Sequence, residues 1–140
     1  MAAKISIIEQ STEKAHIWLN ELAEELGTDD RQEAYRMLRA CLHALRDRLP
    51  VDEAAQLAAQ LPVLIRGIYY ENWDPSKTPL KYRSLGEFLG RIAAEAGLDG
   101  ETEASYAIEA TARILDRHVS PGELEDVRAV LPPELRATMS

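Results

Sequence analysis

Shifted by 70 residues, the chain comes into register with itself, and this repeat limits its fold more than any other feature. Residues 16–70 align with 86–140 without a gap, and 14 of the 55 pairs are identical. The matches gather on apolar positions and on glycine and proline, which set where helices begin and end. Leu61-Pro62-x-x-x-Arg66 returns as Leu131-Pro132-x-x-x-Arg136, and Glu25-x-Gly27-x-Asp29 returns as Glu95-x-Gly97-x-Asp99. Conservative pairs include Trp18/Phe88, Leu22/Ile92, Leu38/Ile108, Leu49/Val119 and Leu57/Val127. An ungapped match with shared punctuation points to internal duplication rather than to chance likeness of two alanine-rich stretches. The expected layout is one domain over 1–140, with repeat units at about 1–70 and 84–140 and a joint at 71–83. Units this small struggle to bury a core alone, so the two should share one.

Periodicity makes each unit helical. Ile5, Ile8, Trp18, Leu19, Leu22, Ala23 and Leu26 recur at helical spacing, and Gly27 supplies a C-terminal stop. Thr28, Asp29 and Asp30 offer N-caps for a helix that should bury Ala34, Leu38, Cys41, Leu42, Leu45 and Leu49. Pro50 ends it. A shorter helix follows, with Glu53 in its first turn and Leu57 and Leu61 facing inward, and Pro62 opens another. The second unit repeats this order, from the capping box Ser84-x-x-Glu87 through Gly97 and Ser120-Pro121-x-Glu123 to Pro132. No segment alternates like a strand. The fold class predicted is all-α, a bundle of about seven or eight helices in two pseudo-repeated units.

The joint breaks the pattern. Residues 71–83 carry two prolines and several turn formers, and should be irregular. Four of the eight aromatic residues, Tyr69, Tyr70, Trp73 and Tyr82, fall between 69 and 82, among Arg66, Lys77, Lys81 and Arg83. Aromatic and arginine side chains are the types that anchor interfaces. The candidate interaction surface is therefore Arg66, Tyr69, Tyr70, Trp73, Lys81 and Arg83. An alternative is that the aromatic residues only seal the seam between units, with their polar tips outward.

The run from Leu42 to Pro75, with its Arg66-Gly-x-Tyr69-Tyr70 and Trp73-x-Pro75 elements, resembles the bacterial domain-of-unknown-function family 2267. Glu87-Phe88-Leu89 and Leu131-Pro132 to Arg136 fit the same layout. The resemblance implies a small, helical, cytoplasmic bacterial protein. It implies no activity and no catalytic residues.

Composition removes several functional classes. A single cysteine cannot form a disulfide framework or a CxxC site. The net charge of −8 divides into −3 for residues 1–70 and −5 for 71–140, so neither unit is a basic module for a nucleic-acid backbone. No apolar run approaches the ~20 residues a membrane span needs. There is no G-x-G-x-x-G, Walker or G-x-S-x-G motif. Cys41 lies on an apolar stripe and reads as a core filler. His43 and Asp47 share a helix face but make only two ligands, and read as a surface histidine beside an acid. Glu21 and Glu25 read as a solvated acidic face, since Glu13-x-x-His16 has no second copy to complete a carboxylate bundle.

The expectation is a cytoplasmic, non-catalytic binding or adaptor module. Its partner would be a protein segment or a second copy of the chain, held by the joint, with no cofactor and no catalytic or metal-ligating residues. The alternatives are a small-molecule-binding or enzymatic protein with a pocket between the halves, and an acidic transcription-associated regulator.

Overall fold

A computed structural model describes residues 5–140. Among them are eight α-helices and no strand. The first unit holds α1 (Ser6–Leu26), α2 (Arg31–Arg48), α3 (Val51–Ala59) and α4 (Val63–Tyr70). The second holds α5 (Leu85–Ala96), α6 (Glu101–His118), α7 (Pro121–Val130) and α8 (Pro133–Arg136), which runs into a 3-10 turn at Ala137–Met139. The bounds of α2 and α6 differ by 70 at both ends. Both α1 and α5 stop at a glycine in the left-handed region, Gly27 at φ 70° and Gly97 at φ 71°, where a Cβ would be strained. Asp30 caps α2 by accepting from the backbone N–H groups of Gln32 and Glu33. Ser84 and Ser120 cap α5 and α7 in the same way.

The packing pattern is that of an approximate two-fold axis. Helix α1 packs on α6 as α5 packs on α2, and α3 meets its counterpart α7 directly. Each unit thus covers the other's second helix. One core cluster runs through both units, with Trp18, Leu22, Leu38 and Leu45 from one and Phe88, Ile92, Ile108 and Leu115 from the other. Burying such side chains is worth about 1.5–3 kcal/mol apiece.

One sequence expectation about the core is overturned. Ile5 and Ile8 continue the periodicity of α1 but stand 59% and 60% exposed, because α1 runs about ten residues past the region its counterpart α5 spans. Conversely, the last turn of α2 buries Arg46 and Arg48. The Arg46 guanidinium donates to the carbonyls of Tyr69 and Glu71, both at 2.7 Å. Arg48 donates to the carbonyl of Tyr82 at 2.7 Å, and the Leu80 N–H donates to the Asp47 carbonyl at 2.8 Å. The joint is irregular apart from a 3-10 turn at Pro75–Lys77, and these bonds strap it to α2. Backbone groups that a loop would leave unpaired thus find charged donors.

Candidate functional site

The clearest concavity is a groove of about 510 Å³ between the overhang of α1, the α3–α4 corner and the end of α6. Ile7, Ile17 and Trp18 line it from α1, and Leu61, Pro62 and Val63 from the corner. His118 reaches it from the second unit and stacks on Trp18, with ring centroids 4.9 Å apart. Lys14 and Arg66 complete a cationic rim, and none of the described lining residues is acidic. Glu21 stands just behind the rim, where its carboxylate accepts from His118 Nε2 at 2.6 Å.

Arg66 is oriented by the end of α3. Its Nε donates to the Ala58 carbonyl at 2.9 Å, and a terminal nitrogen donates to the Leu61 carbonyl at 2.9 Å. Arg136 repeats this on the carbonyls of Arg128 and Leu131, at 2.9 and 3.1 Å. Both arginines thus cap the carbonyl end of the preceding helix, as cations suit that terminus.

The six residues singled out in the joint differ in their surroundings. Tyr69 is fully buried, and its hydroxyl donates to the Ala54 carbonyl at 2.8 Å, so its polar tip points inward rather than out. Desolvation drives its phenol well above the ordinary range. Tyr70 is partly exposed and stacks on Trp73 at 5.3 Å. Trp73 is half-buried, with Nε1 out of solvent and unpaired. Lys81 and Arg83 are exposed, while Arg66 belongs to the groove. Tyr82 lies beneath the guanidinium groups of Arg48 and Arg91, and burial raises its phenol to about 12.

The charged residues of the repeat bind the units together. Glu25 takes Arg113 at 2.7 Å and also pairs with Arg117, and these bonds hold its carboxyl below the ordinary 4.5 against the opposing effect of burial. Its counterpart Glu95 accepts from His43 at 2.8 Å and from Arg39 at 3.3 Å. His43 is therefore a buried link between units, not a surface histidine. Its Nδ1 faces Glu95 and its Nε2 faces the Ile68 carbonyl at 2.7 Å, so both ring nitrogens are engaged. Glu21 and Glu25 likewise face α6 rather than forming a solvated acidic stripe.

Two further groups lie on the axis. Cys41 is fully buried beside its counterpart Thr111, and desolvation pushes its thiol up to about 12, which leaves no nucleophile at neutral pH. Glu53 and Glu123, identical in the repeat, meet between α3 and α7. Burial, then the neighbouring Glu53, push the Glu123 carboxyl up to about 7. The expected capping box at Ser120 is half made. The Ser120 hydroxyl accepts from the Glu123 N–H, but the Ser120 N–H goes to Gln60 Oε1, leaving the Glu123 carboxylate to face Glu53. Spacing alone missed these sites. The available signal was that polar residues, Glu25, Glu53 and Arg66 among them, recur in a repeat otherwise dominated by apolar residues and punctuation.

Fold and site together define an all-α helical bundle bearing a groove of about 510 Å³ with Lys14 and Arg66 on its rim. Residues 15–138 match the family of uncharacterized conserved proteins designated DUF2267, and the chain belongs to that family. A comparison with curated proteins gives no match. Among the described residues, no helix is long and apolar enough to cross a membrane.

Proposed function

We propose that this chain is a non-catalytic cytoplasmic binding module whose groove takes a small amphipathic anion. The observation that carries this reading is the composition of the groove. Apolar walls meet Lys14, Arg66 and His118, with no acidic lining residue, in a chain of net charge −8. Its volume of about 510 Å³ lies in the range of small-ligand pockets. An apolar body would lie against Ile17, Trp18 and Val63, while its anionic head meets Lys14 and the outer edge of Arg66. The buried thiol, the Ser11 hydroxyl held on the Ile7 carbonyl and the His118 ring held by Glu21 favour binding over chemistry.

The fluorescent anion 8-anilino-1-naphthalenesulfonate has this chemistry and serves as the probe. Saturable binding at one site is expected, weakened roughly tenfold by Lys14→Glu, about 1.4 kcal/mol. The neutral analogue N-phenyl-1-naphthylamine should be nearly indifferent to that change. Sulfonate binding unaltered by both Lys14→Glu and Val63→Asp, in folded variants, would overturn the reading.

The joint supports a second reading, in which the stacked Tyr70 and Trp73, with Lys81 and Arg83 on the same segment, anchor an acidic protein segment. Tyr70→Ala with Trp73→Ala should then abolish capture of a partner while leaving sulfonate binding intact.

A further inference from the structure

We propose that Glu53, Glu123 and Asp126 form a binding site for a hard divalent cation, of the magnesium or calcium class, on the axis between the two units. One carboxylate oxygen from each residue can be chosen so that all three lie within 4.8 Å of one another. Oxygens bound to one such ion at about 2.1–2.4 Å stand at most about 4.2–4.8 Å apart, so three ligands of this spacing can share it. An all-oxygen, all-carboxylate donor set selects hard cations over zinc or copper.

The second observation concerns satisfaction rather than spacing. Glu53 is only 9% exposed, and its Oε1 is out of solvent with no hydrogen-bond donor on it among the described residues. Glu123 Oε1 is in the same condition. Among the described residues, no lysine, arginine or histidine pairs with any of the three carboxylates. Other acids at the unit interface do have such partners, as Glu25 has Arg113 and Glu95 has His43. Buried carboxylates facing each other without compensation are strongly unfavourable. A proton shared between Glu53 and Glu123 would relieve two of them. It would leave Asp126 adding a third negative charge one helical turn along α7, whereas a cation uses all three. Asp126 is exposed, so it gives the ion a path from solvent and leaves room for the waters that complete its shell.

The site also explains a repeat identity that helix formation alone does not require. A first-turn acid on α3 or α7 could point to solvent and still suit the helix dipole. Here the two turn toward each other across the axis, so a bound cation would tie one unit to the other.

The test uses the full chain after chelator treatment, titrated with MgCl2, CaCl2 and MnCl2, and read by calorimetry and thermal unfolding. One equivalent should bind, raising the unfolding temperature in a saturable way. The three salts distinguish a magnesium-sized site from a calcium-sized one. Asp126→Asn, at an exposed position, should weaken binding roughly tenfold with the metal-free unfolding temperature unchanged. Glu123→Gln should abolish binding while raising the metal-free unfolding temperature, because it removes the repulsion. No saturable binding at millimolar salt, or binding indifferent to both substitutions, would overturn the proposal and assign the pair to a shared proton.

Discussion

Arg66 and Arg136 show what a single residue does in this molecule. Each ties the carbonyl end of one helix to the start of the next, through a fork of donors that lysine cannot reproduce. Arg66→Leu should cost about 2 kcal/mol in urea unfolding, since three carbonyls lose charged donors, and Arg66→Lys should restore only part of it. Arg136→Leu should cost less, with two carbonyls affected. Cys41 gives a second test. Its thiol is raised to about 12, so the reactive thiolate is absent across the neutral range. Labelling of the native protein by a disulfide reagent should be slow, should rise about tenfold per pH unit from 7 to 9 because the thiolate of a group titrating near 12 does so across that range, and should become fast when urea unfolds the chain. Labelling of native protein that is fast at pH 7 and levels off above about pH 8.5, as for an ordinary thiol, would contradict this. The burial of Cys41 was legible because it sits on an apolar stripe. That of His43, Arg46 and Arg48 was not. A polar side chain is buried only where distant acceptors wait for it, here Glu95, the Ile68 carbonyl and the joint backbone, and periodicity carries no information about them.

At the scale of the element, α1 departs furthest from what its sequence suggests. Its apolar period runs unbroken from Ile5, yet only the segment from Trp18 onward is buried in the core. Periodicity reports which face of a helix is apolar, not how far its neighbours extend. The overhang forms one wall of the groove through Ile7, Gln10 and Lys14. Ile7→Ser with Gln10→Ala should therefore change stability by no more than about 1 kcal/mol, as expected for exposed positions. The same pair of substitutions should markedly weaken binding of the anilinonaphthalenesulfonate probe. The C-terminal half of α1 does the opposite work, holding α6 through Glu25. Hydrogen bonds to Arg113 and Arg117 depress that carboxyl, so its contribution is present above the unfolded value of 4.5 and is lost as pH falls below it. In Glu25→Gln, the unfolding midpoint should be lower than wild type at pH 7. The gap should close as pH falls from 5 to 3, measured by urea unfolding across that range.

The whole molecule follows from how the two units exchange contacts. If α1 packed only on α2, and α5 only on α6, each unit would be a small bundle with its own core. Instead α6 needs α1 and α2 needs α5, and the ion pairs Glu25–Arg113 and His43–Glu95 cross in the same sense. The offset of 70 was visible in the chain because glycine and proline punctuation survives where side chains vary. The axis was not visible, because a repeat specifies two similar units without saying how they face. Its markers became readable only once Cys41 lay beside Thr111 and Glu53 beside Glu123. This arrangement predicts that neither unit folds alone. A fragment of residues 1–74 would expose the faces of α1 and α2 that α6 and α5 cover, including Trp18, Leu38 and Leu45. Several large side chains at about 1.5–3 kcal/mol each would lose part of their burial, more than a unit of this size can spare. Circular dichroism of fragments 1–74 and 75–140 should show little helix for either one separately. Helix should return on mixing them at equal concentration, with a midpoint that rises with concentration because association and folding are then one event. A cooperative, concentration-independent unfolding transition in either fragment alone would mean that the units are self-sufficient, and that the crossed contacts join two finished bundles rather than build one.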